Sequence, residues 1–426
     1  MSAILVLVLL ALATLGMPIA FALGFGALAA AHGAGVEWAM LPQRMMHAVN
    51  SFPLMSIPFF MLAGELMINA GIVERLIDLA NAVVGRLRGG LAHVTMLAGA
   101  GLATVSGAAV SDASALSTIL VPALTKAYDK PFAAAIVAAA ANLGPIIPPS
   151  AAMIVYAFMA GSTVSVGGMF MAGVIPGLLI TAGFMVMCSW IARRRGWGAT
   201  GAAFSFANVR AQLRRSLIIF LMPVIVIGGI VGGVFTATEG AAIAVVYALL
   251  IGFFITRRLK LADLPPLIIR AAITSAMVGA LIAFASAATF LLTVDLLPQK
   301  LSLLIQSVTR DPLMFNLLVA LLLFFVGMFM ESNAAYIMLV PLLHPIAIAL
   351  GLDPLHFGFL FVLNLVIGML TPPVGVVLFV VCGVTKIAMR DLVRACWPFI
   401  AYMYGVLLVC MFFPPLVTWL PRKLGY

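Results

Sequence analysis

The chain has 426 residues, of which 65% are hydrophobic and only 8% are charged, whereas an ordinary soluble domain is about 25% charged. Residues 131–192 contain no charged side chain, and about 20 apolar residues are enough to span a bilayer. These values exclude a soluble protein. They predict an all-α polytopic membrane protein, whose helices satisfy their own backbone hydrogen bonds in lipid.

The positive charges are concentrated in short connections. The net charge is +10, which by itself could suggest binding to nucleic acid. However, most of the arginines lie in the connection 193–215 and in residues 257–270. Short basic loops at the ends of spans follow the positive-inside rule, which assigns both connections to the cytoplasm. Nucleic acid is therefore not a predicted partner, and the lipid bilayer is.

In chain order, the sequence predicts about eleven transmembrane helices. The first is a retained span, kinked or split at Gly16-Met17-Pro18, because the N-terminus lacks the basic region of a cleaved signal peptide. The predicted spans lie near residues 3–31, 53–70, 91–106, 132–161 (broken), 168–192, 216–234, 238–256, 267–293, 313–330, 356–386 (broken) and 397–419.

Two further segments are predicted to be re-entrant hairpins that enter the membrane and leave it on the same side. Segments 107–128 and 331–350 each begin with polar residues and carry a proline at their middle or later. Amphipathic stretches at 72–88 and 295–312 precede these units. Each is predicted to be an arm helix in the plane of the interface, with a short solvated connector helix as the alternative.

The elements follow the same order in both halves: span, arm helix, span, hairpin, broken helix and span. We therefore predict two structural repeats, 1–192 and 216–426, joined by a basic cytoplasmic loop at 193–215. Such pairs of repeats are typical of secondary transporters. Six predicted crossings separate equivalent elements, which would make the halves parallel rather than inverted. A misplaced boundary around 1–31 or 216–256 is the alternative.

An acidic residue begins each predicted hairpin. Asp112 has several hydroxyl side chains close by in sequence, and Glu331 is followed by Ser332 and Asn333. A charged side chain at the bilayer centre costs roughly 2.5–3.5 kcal/mol on insertion scales, so such residues are usually functional. Both acids could bind a hard monovalent cation or a polar substrate. Alternatively, each could cap its helix by accepting backbone N–H groups.

Paired prolines break a helix in each half. The breaks lie at Asn142–Ser150 and at Asn364–Gly375. Freed carbonyls can coordinate Na⁺, and the exposed N-termini of half-helices can face an anion. A proline kink satisfied by neighbouring helices is the alternative. Glu239 has two interpretations of its own, as the acidic residue at a helix N-terminus or as a polar contact near the site.

No catalytic pattern emerges from the sequence. It contains no His-Glu-x-x-His, Gly-x-Ser-x-Gly or Walker motif. The four cysteines and five histidines have no metal-ligand spacing. The chain is therefore expected not to be an enzyme and to need no cofactor or transition metal. An ion gradient is the simplest energy source, since each unit charge that crosses 100 mV releases about 2.3 kcal/mol.

Several motifs resemble the large membrane subunit of tripartite ATP-independent periplasmic (TRAP) transporters, and the similarity covers essentially the whole chain. The family's usual SGSAVAD reads SGAAVSD here, which moves a hydroxyl group from position 108 to position 111. The matching motifs are Phe59–Met67 (FFMLAGELM), Ser106–Ala113 (SGAAVSDA), Gly144–Ser150 (GPIIPPS), Ala172–Gly177 (AGVIPG), Thr236–Glu239 (TATE) and Asn364–Gly375 (NLVIGMLTPPVG).

The resemblance implies a sodium-coupled importer of the bacterial inner membrane, in which a transport domain slides like an elevator against a scaffold. It implies a small organic acid as substrate, of the C4-dicarboxylate, sialic acid or sugar acid class. The implied partners are a periplasmic substrate-binding protein and a separate four-helix small membrane subunit. The alternatives are a self-sufficient carrier of the same structural group, a membrane-embedded enzyme or an ion channel.

The resemblance also implies candidate site residues. The candidate sodium ligands are Ser106, Asp112, Asn142, Gly144, Pro145, Glu331, Ser332, Thr371 and Gly375. The candidate substrate contacts are Ser111, Ser114, Pro149, Ser150, Glu239, Asn333 and Pro373.

Overall fold

The computed structural model describes residues 1–198, 205–297, 299–300, 303, 309 and 311–426. Every regular element in these ranges is a helix, as the apolar composition predicts. The helices of the first half are α1 (Ser2–Thr14), α2 (Ile19–Gly33), α3 (Met40–Val49), α4 (Ser56–Asn69), α5 (Ile72–Val84), α6 (Gly90–Ser106), α7 (Ala109–Leu124), α8 (Lys130–Ala141), α9 (Ala151–Ala160) and α10 (Val166–Arg194).

The second half continues in the same way, and a π-helical turn at Ile251–Ile255 extends one of its helices. Its helices are α11 (Phe206–Val231), α12 (Ala237–Leu250), α13 (Leu264–Val294), α14 (Pro312–Phe329), α15 (Ser332–Ala349), α16 (Pro354–Gly368), α17 (Val376–Thr385), α18 (Met389–Phe412) and α19 (Pro415–Lys423).

Fewer helices than predicted are long enough to cross a membrane alone. Seven helices of the described chain pass by length and hydropathy, or up to eight if the bent pair α4–α5 is one span, against about eleven predicted. Several predicted spans are instead made of short helices. The predicted split of segment 3–31 at Gly16-Met17-Pro18 is confirmed, but its two parts form a pair of helices rather than one span, because α1 and α2 pack against each other. Residues 15–18 form the turn between them.

The internal reversals predicted within 107–128 and 331–350 are also wrong. Each segment forms one continuous helix, α7 or α15, that contains its proline. The chain breaks earlier, at Gly107–Ala108 between α6 and α7 and at Met330–Glu331 between α14 and α15. Since a proline is tolerated inside a packed membrane helix, Pro122 and Pro341 do not end these helices. Each hairpin is therefore a pair of neighbouring helices.

The connection 193–215 is only partly a loop. Helix α10 extends to Arg194, and α11 already begins at Phe206, so the last ten residues of the predicted loop are helical. The first predicted arm helix, 72–88, corresponds to α5, which ends at Val84. Half of the second arm helix, 295–312, lies outside the described residues, so this prediction stays untested.

The two halves pack against each other through equivalent pairs of helices, one helix of each pair from each half. In the first half α7 contacts α17, and in the second half α15 contacts α9. Likewise α8 contacts α18, and α16 contacts α10. Each hairpin therefore packs against the second half-helix of the other half's broken helix, which brings both breaks into the same bundle.

Ion pairs and hydrogen bonds identify the two ends of this bundle. At one end Arg195 pairs with Asp129 at 2.6 Å and Arg258 pairs with Glu74 at 2.7 Å. We call this the basic end, because the arginine-rich connections meet there. At the opposite end Arg422 pairs with Asp353 at 2.8 Å, and the Tyr426 hydroxyl donates to the carbonyl of Val231 at 3.2 Å.

The ion pair at the opposite end predicts a pH dependence. Partial burial of Asp353 raises the pKa of its carboxyl group, but the His356 N–H and the Arg422 guanidinium lower it more, so the pKa lies below its ordinary value. A lowered carboxyl pKa stabilises the fold above the unfolded value of about 3.9, and this contribution is lost as the pH falls. The melting temperature of Asp353→Asn should therefore lie below that of the wild type at pH 7, with a gap that shrinks below about pH 4. A gap that is constant or grows on acidification would contradict this.

Candidate functional site

The tip of the first hairpin lies against the first break. Gly107 adopts φ +62° in the left-handed region, which ends α6 and lets α7 begin two residues later. A Cβ at position 107 would lie 2.5 Å from the carbonyl oxygen of Pro149. Because any other residue would bring its Cβ into this carbonyl oxygen, glycine at position 107 allows the hairpin tip to contact the break.

Asp112 in the first turn of α7 is fully buried. Its Oδ1 accepts a hydrogen bond from the Ser106 hydroxyl at 2.5 Å. Its Oδ2 accepts no hydrogen bond from any described residue. A Cβ at Gly144 would lie 2.9 Å from this Oδ2, so the free oxygen faces the backbone of the break. A buried acceptor without a donor is costly in a protein interior and calls for a partner.

The first predicted broken helix is confirmed. Helix α8 ends at Ala141, α9 begins at Ala151, and the residues between them are not helical. Ser150 holds the break together: its hydroxyl donates to the Pro145 carbonyl at 2.7 Å and accepts the Met153 N–H at 3.4 Å as the N-cap of α9. The Ser150 hydroxyl hydrogen is thus already used within the break.

Asn142, at the end of α8, joins the two halves. Its side-chain amide donates to the Val366 carbonyl in α16 at 3.0 Å, while its Oδ1 is buried and has no donor in the described chain. We call the hairpin tip and the break of one half a half-site: residues 106–112 with 142–150 in the first half, and residues 331–333 with 364–375 in the second. The first half-site contains two buried side-chain oxygens without donors in the described chain, one from Asp112 and one from Asn142. Oxygen ligands of this kind suit a hard cation.

The acid of the second hairpin is bonded differently. Glu331 is the N-cap of α15: Oε2 accepts the Ala334 N–H at 3.3 Å, and Oε1 accepts the Asn333 side-chain amide at 2.7 Å. Both carboxylate oxygens thus have donors, which is the capping geometry that the sequence left open. Asn333 itself is half-buried beside the cap.

The second predicted broken helix is also confirmed, with α16 ending at Gly368 and α17 beginning at Val376. The Thr371 hydroxyl donates to the Ile367 carbonyl at 2.9 Å, and Gly375 is the N-cap of α17. From the hairpin, the Ser332 hydroxyl donates to the Leu365 carbonyl at 3.5 Å. Hairpin and break are therefore in contact in this half as well.

The remaining candidate substrate contacts differ in accessibility. Ser111 is half-buried and Pro149 is buried, whereas Ser114 and Pro373 are exposed. Glu239 is exposed and forms a reciprocal capping box with Thr236 at the start of α12. Since α12 packs chiefly against α4 and α11, the geometry supports the capping interpretation of Glu239 and does not bring it to either break.

Sequence reasoning assigned no role to Asn364, although it begins one of the motifs. Its side-chain amide donates to the Ala320 carbonyl in α14 at 2.8 Å, and its buried Oδ1 has no donor among the residues described. The available signal was a lone amide inside the apolar run 357–370. Asn364 resembles Asn142 in this respect: each donates to a neighbouring helix and keeps a free oxygen.

Comparisons with known proteins agree on one family. The family model described as "Tripartite ATP-independent periplasmic transporter, DctM component" matches residues 6–416. The sialic acid TRAP transporter large permease protein SiaM of Vibrio cholerae is 37% identical over 416 residues, covering 96% of both chains. The C4-dicarboxylate TRAP transporter large permease protein DctM of Rhodobacter capsulatus is 35% identical and covers 100% of both chains.

Two further similarities are informative about length and fold. The isethionate TRAP transporter permease protein DctMQ of Oleidesulfovibrio alaskensis is 38% identical over 94% of this chain, which spans only 63% of that protein. The crystal structure of the YdaH transporter of Alcanivorax borkumensis superposes with a TM-score of 0.59 at 14% identity, covering 87% of this chain and 88% of the other. This last similarity shows the fold alone.

Proposed function

The chain belongs to the DctM family of TRAP transporter large permeases, and from this premise we propose that it imports a small organic acid together with Na⁺. The observation that carries the proposal is the free, fully buried Oδ2 of Asp112 beside the unwound backbone at Gly144. A carboxylate oxygen without a donor in an apolar interior is stabilised by a bound cation. The free Oδ1 of Asn142 adds a neutral ligand at the same break.

The proposed substrate is an organic anion. The names of the relatives specify sialic acid, C4-dicarboxylate, 2,3-diketo-L-gulonate and isethionate, all of which are acids. Neither half-site has a lysine or arginine in its motif. The N-termini of α9 and α17 lie at the two breaks. Helix N-termini favour a nearby negative charge. These termini and the bound Na⁺ would balance the charge of the substrate.

The proposed mechanism is an elevator motion of the bundle formed by the hairpins and broken helices. With α6–α7 as one hairpin, five elements separate it from the hairpin α14–α15: the broken helix α8–α9, then α10, α11, α12 and α13. An odd number of crossings places the hairpins on opposite sides of the membrane, which inverts the repeats. Counted between the same two hairpins, the six crossings predicted from sequence included α14 as a span of its own. Inverted repeats around one central site are characteristic of such transporters.

The proposed orientation in the membrane follows from the distribution of charges, and the proposed location and partners follow from the family. The basic end faces the cytoplasm by the positive-inside rule, in the inner membrane of a bacterium. The partners are a periplasmic substrate-binding protein and a small membrane subunit.

Reconstituted uptake tests the proposal. The chain and its small subunit are placed in liposomes and supplied with a candidate binding protein loaded with a radiolabelled organic acid. We expect uptake only with an inward Na⁺ gradient and only with the binding protein. Equal uptake with K⁺ in place of Na⁺ would contradict sodium coupling, and equal uptake of free acid would indicate a self-sufficient carrier.

The two acidic helix caps offer a matched pair of substitutions. Glu331→Gln keeps the cap of α15 but removes the charge from the second half-site, whereas Glu239→Gln does the same to the exposed cap of α12. We expect uptake to fall about tenfold for Glu331→Gln, corresponding to about 1.4 kcal/mol, and to stay within about twofold for Glu239→Gln. Equal losses would show that only helix capping matters.

A further inference from the structure

A cleft of about 720 Å³ lies away from the two breaks. Helices α3 and α13 form one wall, and α9 and α15 form the other. The cleft follows α13 from Ile282 to Val294, which is about 18 Å at 1.5 Å per residue. This length is comparable to one leaflet of a hydrocarbon core that is about 30 Å thick. Since α13 starts beside the basic end, its last residues lie towards the opposite end.

The lining of the cleft is mainly apolar. Phe158 and Met159 of α9 face Ile282 and Ala285 of α13, with Ile337 of α15 beside them. Three hydroxyl side chains also line it, but two of them donate to backbone carbonyls, Ser286 to that of Arg44 and Thr293 to that of Thr289. Such a surface solvates a hydrocarbon chain well and a small hydrophilic anion poorly.

Arg44 is the one charged residue that lines the cleft within the described chain. Its guanidinium lies 4.6 Å from the ring centroid of Phe290. A cation–π contact of this kind holds the group over the ring face. Arg44 takes part in none of the ion pairs among the described residues. Its N–H donors are thus placed at an apolar cleft without a carboxylate to receive them.

We propose that this cleft binds one phospholipid with an anionic headgroup. The phosphate bonds to the Arg44 guanidinium, whose planar donors match phosphate oxygens. One acyl chain lies between α13 on one side and α9 and α15 on the other. If the bundle moves as proposed above, the lipid lies on the sliding surface and its binding affects the transport rate; this last consequence rests on the proposed function, whereas the binding does not.

Native mass spectrometry of the delipidated chain, purified with its membrane partner, tests the binding directly. Dioleoylphosphatidylglycerol is titrated in, with dioleoylphosphatidylcholine, succinate and inorganic phosphate as separate arms. We expect one saturable phosphatidylglycerol, bound at least tenfold more weakly by Arg44→Gln and with intermediate affinity by Arg44→Lys, which keeps the charge but loses the planar donors. Lys300→Gln is the charge-matched control, because Lys300 is exposed, pairs with Asp295 and does not line the cleft.

A second variant tests the chain-binding part and remains informative if Arg44→Gln does not fold. Thr289→Phe fills the cleft while leaving every charge in place, so it should also weaken phosphatidylglycerol binding. The proposal is overturned if phosphatidylglycerol does not saturate, if phosphatidylcholine binds equally well, or if Arg44→Gln or Thr289→Phe binds phosphatidylglycerol as tightly as wild type. It is equally overturned if succinate or phosphate binds through Arg44 while phosphatidylglycerol does not. No transport is measured, so failure here is distinct from failure of the proposed function.

Discussion

Replacing Asp112 with Asn should weaken sodium-driven uptake by about 10–150-fold at subsaturating Na⁺, because a hydrogen-bonded charged partner is worth about 1.5–3 kcal/mol and each 1.4 kcal/mol is tenfold. Asn keeps the shape of the side chain and can still accept the Ser106 hydroxyl bond at Oδ1. The charge on the free oxygen beside Gly144 is lost. The measurement is initial uptake in proteoliposomes as a function of Na⁺ concentration.

Asp129→Asn is the matched control for this substitution. Asp129 is exposed at the basic end, where it pairs with Arg195 at 2.6 Å, and surface ion pairs contribute only about 0–1 kcal/mol. Its uptake should stay within about twofold of wild type. A sodium dependence of Asp112→Asn that matches this control would remove Asp112 from the sodium site.

Gly107→Ala should destabilise the protein by more than about 3 kcal/mol and abolish uptake, since strain and overpacking combine at this position. Alanine costs about 1–2 kcal/mol in the left-handed region. In addition, its Cβ would lie 2.5 Å from the Pro149 carbonyl oxygen and 3.2 Å from the Ser150 Cα. Because both neighbours are backbone or cap atoms of the break, the hairpin tip must move away from the site.

Gly35→Ala separates the steric effect from the dihedral cost. Gly35 follows α2 with a similar φ of +64°, but a Cβ there meets no atom within 4 Å. We expect a loss of about 1–2 kcal/mol with uptake retained. Thermal unfolding and uptake are measured for both variants. Similar losses of stability and activity would show that the contact between tip and break is unimportant.

The breaks in the helices were predicted correctly, whereas the positions of the hairpin tips were predicted wrongly. Proline removes a backbone donor wherever it stands in a helix, so the pairs at Pro148–Pro149 and Pro372–Pro373 marked both breaks. Single prolines do not mark helix ends here, since neighbouring helices support α7 through Pro122 and α15 through Pro341. The better signal for each tip was the acid at the helix start.

The contacts that join the two halves at the candidate site depend on tertiary structure rather than on local sequence. The capping box of Glu239 follows a local signature, Thr-x-x-Glu, and was open to prediction from sequence alone. The bond from Asn142 to the Val366 carbonyl joins residues that are 224 positions apart, and no local pattern specifies it. The same is true of the packing of α7 on α17, which brings both breaks into one bundle.

The sodium site at Asp112 is tested by equilibrium binding of ²²Na⁺ to the purified chain and its membrane partner. We expect saturable binding to wild type and to Asp129→Asn, and binding at least about tenfold weaker to Asp112→Asn. Unchanged ²²Na⁺ affinity in Asp112→Asn, or no saturable binding to the wild type, would contradict a sodium site at Asp112.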